Sequence, residues 1–92
     1  MVYKIEISAK ASSQLAKLDN SVRIQIKKFI EKLETRDDPR TLGKALKGNL
    51  SGYWRYKVDK YRIVAEIFDD KLVIYVIAVG HRGTIYEKTT KD

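Results

Sequence analysis

Three cations in the second half of this chain, Arg55, Lys57 and Arg62, are spaced so that one tight turn would bring them onto a single surface. Trp54 to Val58 and Tyr61 to Val64 both favour strands, and only Asp59-Lys60 separates them. They are expected to pair as a β-hairpin with Val58 opposite Tyr61 and Lys57 opposite Arg62. Strand side chains alternate between faces, which puts Arg55 on the same side. Like charges directly opposite one another destabilise a sheet, so a face carrying three of them suits an anion, such as a phosphate, that occupies it during function.

One chemistry open to such a face is cleavage of a phosphodiester by the neighbouring ribose 2′-hydroxyl. That reaction needs a base for the 2′ proton, an acid for the leaving 5′-oxygen and positive charge around the pentacovalent phosphorane. Arg62 and Arg82 suit the phosphorane, because a guanidinium stays charged and its fork matches two oxygens. Lys57, crowded by Arg55 and Arg62, is a candidate to accept a proton. Tyr86 can orient or accept the 2′ proton, or stack on a base, and His81 is an acid or base if it points inward. The plainer alternative is a solvated sheet face, with Glu66 or Glu87 neutralising part of the charge, an ordinary surface histidine at 81 and a tyrosine at 86 that only packs the tail. Lys10, Lys17, Arg23, Lys27, Lys28 and Lys32 read as solvated helix surface. Their secondary use would be contact with the phosphate backbone of a large RNA, which needs charge but no fixed geometry.

The elements that must position these residues follow from periodicity. Tyr3 to Ile7 alternates apolar and polar side chains as a half-buried strand does. From Ser8, a candidate N-cap, Ala11, Leu15 and Leu18 recur at helical spacing. Val22, Ile26, Phe29, Ile30 and Leu33 then form one continuous stripe on a second helix. Thr35 to Gly52 is a polar connector holding the only proline and three of the five glycines. Three strands follow, Tyr53 to Val58, Tyr61 to Phe68 and Leu72 to Val79, joined by connections so short that they must pair antiparallel. The expected fold is α+β: a two-helix hairpin on one face of a small, mainly antiparallel four-stranded sheet in the order β-α-α-β-β-β. In this register Trp54, Tyr56, Val58, Tyr61, Ile63, Ala65, Ile67, Leu72, Ile74, Val76 and Ala78 face the helices. The opposite face carries Arg55, Lys57, Arg62, Val64, Glu66, Val73, Tyr75 and Ile77, with too little chain left to cover it. Residues after Gly80 leave the sheet, and 89–92 are expected to fray.

Composition bounds the rest. The 92 residues make a single domain, 1–92, with one core and a surface site. A net charge of +7, from 19 Lys and Arg against 12 Asp and Glu, makes nucleic acid the leading partner class. No apolar run approaches the ~20 residues of a spanning helix and no signal peptide is visible, so neither a membrane nor export is expected, and the protein is read as cytoplasmic. With no cysteine and one histidine, disulfides, thiolate zinc sites and cofactors are not expected.

The element order, together with Ala45-Leu46-Lys47-Gly48, Gly52-Tyr53-Trp54, Tyr61-Arg62-Ile63-Val64 and Val76-Ile77-Ala78-Val79-Gly80-His81-Arg82, resembles the RelE toxins of type II toxin–antitoxin pairs, within the wider RelE and ParE superfamily. The resemblance runs from about Tyr3 to Lys88. It implies a metal-independent mRNA interferase that enters the A site of the 70S ribosome, contacts its rRNA and cuts the mRNA codon there by 2′-hydroxyl attack, leaving a 2′,3′-cyclic phosphate and inhibiting translation. It also implies a cognate RelB-like antitoxin. The RelE positions for two basic residues on the second strand, an arginine on the third, an arginine past the fourth and a tail tyrosine read here Arg55, Lys57, Arg62, Arg82 and Tyr86. RelE-like toxins commonly carry lysine where Arg55 stands, and an arginine cannot act as a base, so its implied role is phosphate binding. The general base stays open between Lys57, Tyr86 and His81. The alternative within the superfamily is a ParE-like inhibitor of DNA gyrase without nuclease activity. A non-catalytic RNA-binding module is a third class.

Overall fold

The N-terminal alternation becomes strand β1, Lys4–Ile7, in the computed structural model of the protein, which describes residues 2–88, with side chains through residue 86. The expectation of fraying at 89–92 lies outside the described residues. Helix α1, Ala9–Ala16, starts where expected: the Ser8 hydroxyl accepts from the Ala11 N–H at 3.0 Å and so satisfies one of the amides a helix start leaves unpaired. Eight residues are too few for a helix to stand alone in water, and α1 is held by burying Ala11 and Leu15. Helix α2, Asn20–Glu34, buries Ile26, Ile30 and Leu33 from its apolar stripe. Both helices cover one face of the sheet. There Ile26 and Leu33 meet Tyr56, Ile63, Ala65, Ile74 and Val76, all fully buried. The Tyr56 hydroxyl in this core donates to the Pro39 carbonyl at 2.9 Å. Burial pushes its ionisation far above the tyrosine range, so it remains a donor.

The sheet has five strands where four were expected, in the order β1-β5-β4-β3-β2, with β1 parallel to β5 and the other pairs antiparallel. The additional strand is β2, Gly43–Ala45, inside the connector. It pairs with β3, Trp54–Val58, so that Gly43 faces Tyr56 and Lys44 faces Arg55. Three residues carry no alternation to read, which is why the strand was hidden. Glycine permits it: a Cβ at position 43 would sit 2.3 Å from the Arg55 carbonyl oxygen.

Strands β4, Tyr61–Phe68, and β5, Val73–His81, form the longest pairing. The hairpin register is the expected one, Val58 opposite Tyr61 and Lys57 opposite Arg62. Asp59 at the turn takes φ 55°, a left-handed conformation that aspartate tolerates better than bulkier residues. Strand β5 runs on through His81, past the expected end at Val79 and the expected exit after Gly80, and two expectations about the faces of the sheet are corrected. A bulge lies between Val64, opposite Ala78, and Ala65, opposite Val76, leaving Ile77 as the extra residue. It shifts the alternation by one, so Ala78 sits on the face away from the helices and Val79 joins the main core. That second face is also partly covered. Leu50, Tyr53, Val64, Ala78 and Ile85 form a second buried cluster, with Leu46, Ile77 and Tyr86 against it. The tail supplies its lid by returning as a one-turn helix, α3, Ile85–Lys88. No helix among the described residues is long and apolar enough to cross a membrane.

Candidate functional site

The cations of the second face are positioned by β2, β3 and β4. Lys44 faces Arg55 and Lys57 faces Arg62, and Arg55 and Lys57 are two apart on one strand, so the four step diagonally across three strands. Directly opposed residues stand about 5 Å apart and alternate residues on one strand about 7 Å. Sequence reasoning missed Lys44 because it missed β2. Thr41, Leu42, Gly43, Lys44, Arg55 and Lys57 line a cleft of about 220 Å³ with no carboxylate in its walls.

The four cations differ in environment. Lys44 and Lys57 are exposed. Arg55 is half-buried, and its Nε is shielded from solvent without a hydrogen-bond partner. Arg62 is only 9% exposed, and its Nη1 donates to the carbonyls of Asp59 and Tyr61, both at 2.9 Å. It braces the turn with one nitrogen, and three of the five N–H donors of a guanidinium remain for an anion. Arg82 is exposed, and its backbone N–H donates to the Lys60 carbonyl at 2.8 Å, which fixes it beside the Asp59-Lys60 turn. Tyr86 is half-buried against the second cluster, on the side of the sheet that carries the cations.

The other predicted residues lie elsewhere. His81 is opposite Tyr61, whose ring it meets edge-on at 5.7 Å, and Tyr61 packs on the helix-side core. The histidine therefore faces the helix side of the sheet, away from Arg55, Lys57 and Arg62. It borders a cleft of about 430 Å³ shared with Gln14, Lys17 and Thr84. Its Nδ1 accepts from the Gly83 N–H at 3.1 Å, which leaves Nε2 to carry the proton of the neutral ring. Lys27, Lys28 and Lys32 are exposed on α2, across the sheet from the cationic diagonal.

At the opposite end of the sheet from the Asp59-Lys60 turn, Arg40 forms a two-pronged ion pair with Asp69, both contacts 2.9 Å, and the Tyr3 hydroxyl donates to the same carboxylate at 2.5 Å. The guanidinium also lies 5.9 Å from the centre of the Trp54 ring. These bonds hold the Asp69 carboxyl below its usual range and push the Tyr3 phenol up. The cluster ties the connector to the β4–β5 turn and to the residue before β1.

Comparison with known proteins decides the family. The profile described as ParE toxin of type II toxin–antitoxin system, parDE, matches residues 5–86. The chain belongs to the RelE/ParE toxin family. The toxin is 31% identical to the mRNA interferase toxin RelE of Escherichia coli K12 over 94 residues, spanning 99% of this chain and 97% of the relative. Among solved structures it is similar to the intact E. coli RelBE toxin–antitoxin complex, with TM-score 0.64, 31% identity, and 86% of this chain and 95% of that one covered. The Mycobacterium tuberculosis RelBE2 complex shares its fold at TM-score 0.81 and 24% identity, with 89% and 100% covered.

Proposed function

We propose that this toxin is an mRNA interferase that acts in the ribosomal A site and is held inactive by a RelB-like antitoxin. The observation that carries the reading is the diagonal of Lys44, Arg55, Lys57 and Arg62, bordered by a cleft with no carboxylate in its walls, on the face where Tyr86 also packs, in a chain 31% identical to a protein named mRNA interferase toxin RelE.

In the proposed reaction the 2′-oxygen attacks the adjacent phosphorus, its proton passes to a base on the toxin, and the bond from phosphorus to the 5′-oxygen breaks as that oxygen takes a proton. The products are a 2′,3′-cyclic phosphate and a 5′-hydroxyl. The free nitrogens of Arg62 hold the non-bridging oxygens as charge grows on the phosphorane, joined by Arg82 from beside the turn, while Arg55 binds a phosphate of the message backbone. Lys57 and Tyr86 share the cationic side of the sheet, which supports them over His81 as the groups that move protons. Lys27, Lys28 and Lys32 are left the sequence-independent contacts with ribosomal RNA.

The antitoxin is proposed from the RelBE complexes that the fold matches. The rival reading, gyrase inhibition without cleavage, has the description of the family profile in its favour. Primer-extension mapping of a defined message on programmed ribosomes separates the two. Cuts inside the A-site codon are expected with wild type and should vanish with Arg82→Ala and Tyr86→Ala; an intact message alongside inhibited gyrase supercoiling would overturn the proposal.

A further inference from the structure

The carboxylate-free cleft beside β2 does more than extend a basic surface. Lys44 is held on a three-residue edge strand that exists only because Gly43 lets its backbone approach β3, with an added Cβ falling 2.3 Å from the Arg55 carbonyl oxygen and 2.8 Å from the Trp54 Nε1. That strand sets Lys44 directly against Arg55, a like-charge pair at a position where sheets normally place opposite charges or none. Arg55 also buries an Nε that has no partner, and a buried donor left unpaired costs free energy that a bound acceptor would return. The cleft's other walls, Thr41 and Leu42, bring no negative charge.

We infer that Lys44, Arg55 and this cleft form a second phosphate subsite, separate from the one that holds the scissile group, and that it takes a backbone phosphate of the message flanking the cut. The inference rests on the interferase reading and adds to it. Successive steps along Lys44, Arg55, Lys57 and Arg62 are about 5, 7 and 5 Å. A single strand laid along that diagonal, with its scissile phosphate at Lys57, Arg62 and Arg82, places a flanking phosphate at Lys44 and Arg55. Two anchored phosphates fix both the position and the direction of the backbone, which one cannot do. Lys44 touches no reacting atom. It is a positioning residue, and its loss should raise KM and leave kcat unchanged.

The test measures binding of the full-length toxin to ribosomes programmed with a message whose A-site codon carries 2′-deoxyribose, so that no nucleophile is present. Neutral methylphosphonates are moved one linkage at a time through and around that codon. Lys44→Ala is expected to weaken binding about fivefold and to lower the slope of log affinity against log salt by about 0.7, with Lys44→Arg near wild type. Lys4→Ala removes one charge from the opposite edge of the sheet and should change little. One methylphosphonate position should weaken wild type by the same factor and erase its advantage over Lys44→Ala. Equal losses in Lys44→Ala and Lys4→Ala would reduce the effect to net charge and overturn the subsite. A Lys44 effect that no message linkage erases would assign the contact to ribosomal RNA and overturn it equally. Wild type that binds programmed ribosomes no better than empty ones would instead overturn the interferase reading, a result visible without any Lys44 variant.

Discussion

Tyr86 offers a ring and a hydroxyl, and the fold uses the ring: it packs against the cluster of Leu50, Tyr53, Val64, Ala78 and Ile85. The two parts can be separated by mutation. Tyr86→Phe keeps the packing and removes the proton, so its melting temperature should stay close to wild type. Cleavage should fall by about 10²- to 10⁴-fold if the hydroxyl transfers a proton in the transition state, as single-turnover cleavage on programmed ribosomes would show. A Phe variant that cuts at the wild-type rate would limit Tyr86 to packing or base stacking. Arg62 is a comparable case, since the guanidinium suited to a phosphorane also holds the Asp59 and Tyr61 carbonyls. Its pairing with Lys57 was legible because a two-residue turn leaves little freedom in register; its near-complete burial was not, because side-chain direction at a turn depends on which carbonyls come within reach.

At the scale of elements, the two devices the sequence concealed are the ones that shape the cationic face. Strand β2 is too short for any periodicity, and only its backbone approach to β3 reveals it. Gly43→Ala should detach it, because the Cβ collides with backbone that cannot move aside. We expect a loss of about 1–3 kcal/mol in urea titration and faster amide exchange along the outer edge of β3. The one-turn α3 is the second device. Ile85 is 1% exposed, although a single helical turn has almost no stability of its own. Ile85→Ala should cost about 2–4 kcal/mol and release the tail amides to exchange before the sheet. The apolar residues of this second cluster were visible in the connector and tail, but nothing in their spacing said which face of the sheet they would cover.

For the whole molecule, the Tyr3, Arg40 and Asp69 cluster joins three distant stretches of chain at the end of the sheet opposite the Asp59-Lys60 turn. Its carboxyl is held below the ordinary range by Arg40 and Tyr3, so its contribution to stability is complete above the unfolded-state value and is lost as the pH falls through the lower, folded-state value. Asp69→Asn should therefore melt below wild type at pH 7, and the gap should close as the pH drops below 3.8, the ordinary value for this group. Thermal melts of both proteins across that range would show it, and a gap independent of pH would mean that the carboxylate charge plays no part. The amphipathic α2, the Ser8 cap and the hairpin were all legible, since each is written in local spacing. This clasp was not, because its members lie 29 and 66 positions apart in the chain.

The bulge at Ile77 carries a consequence for how such a surface can change. Parity along β5 decides which groups share a side: with one extra residue, Gly80 lies under Ile85 and His81 turns to Tyr61. Straightening the bulge, so that Ile77 took the place opposite Val64, would slide every later residue of β5 by one and exchange those allegiances, turning the imidazole to the face of Arg62 while driving Val79 out of the main core. The histidine is thus kept off the cationic face by one irregular step of the ladder, and the fold that excludes it could admit it through a change of pairing alone, with no alteration to the histidine itself.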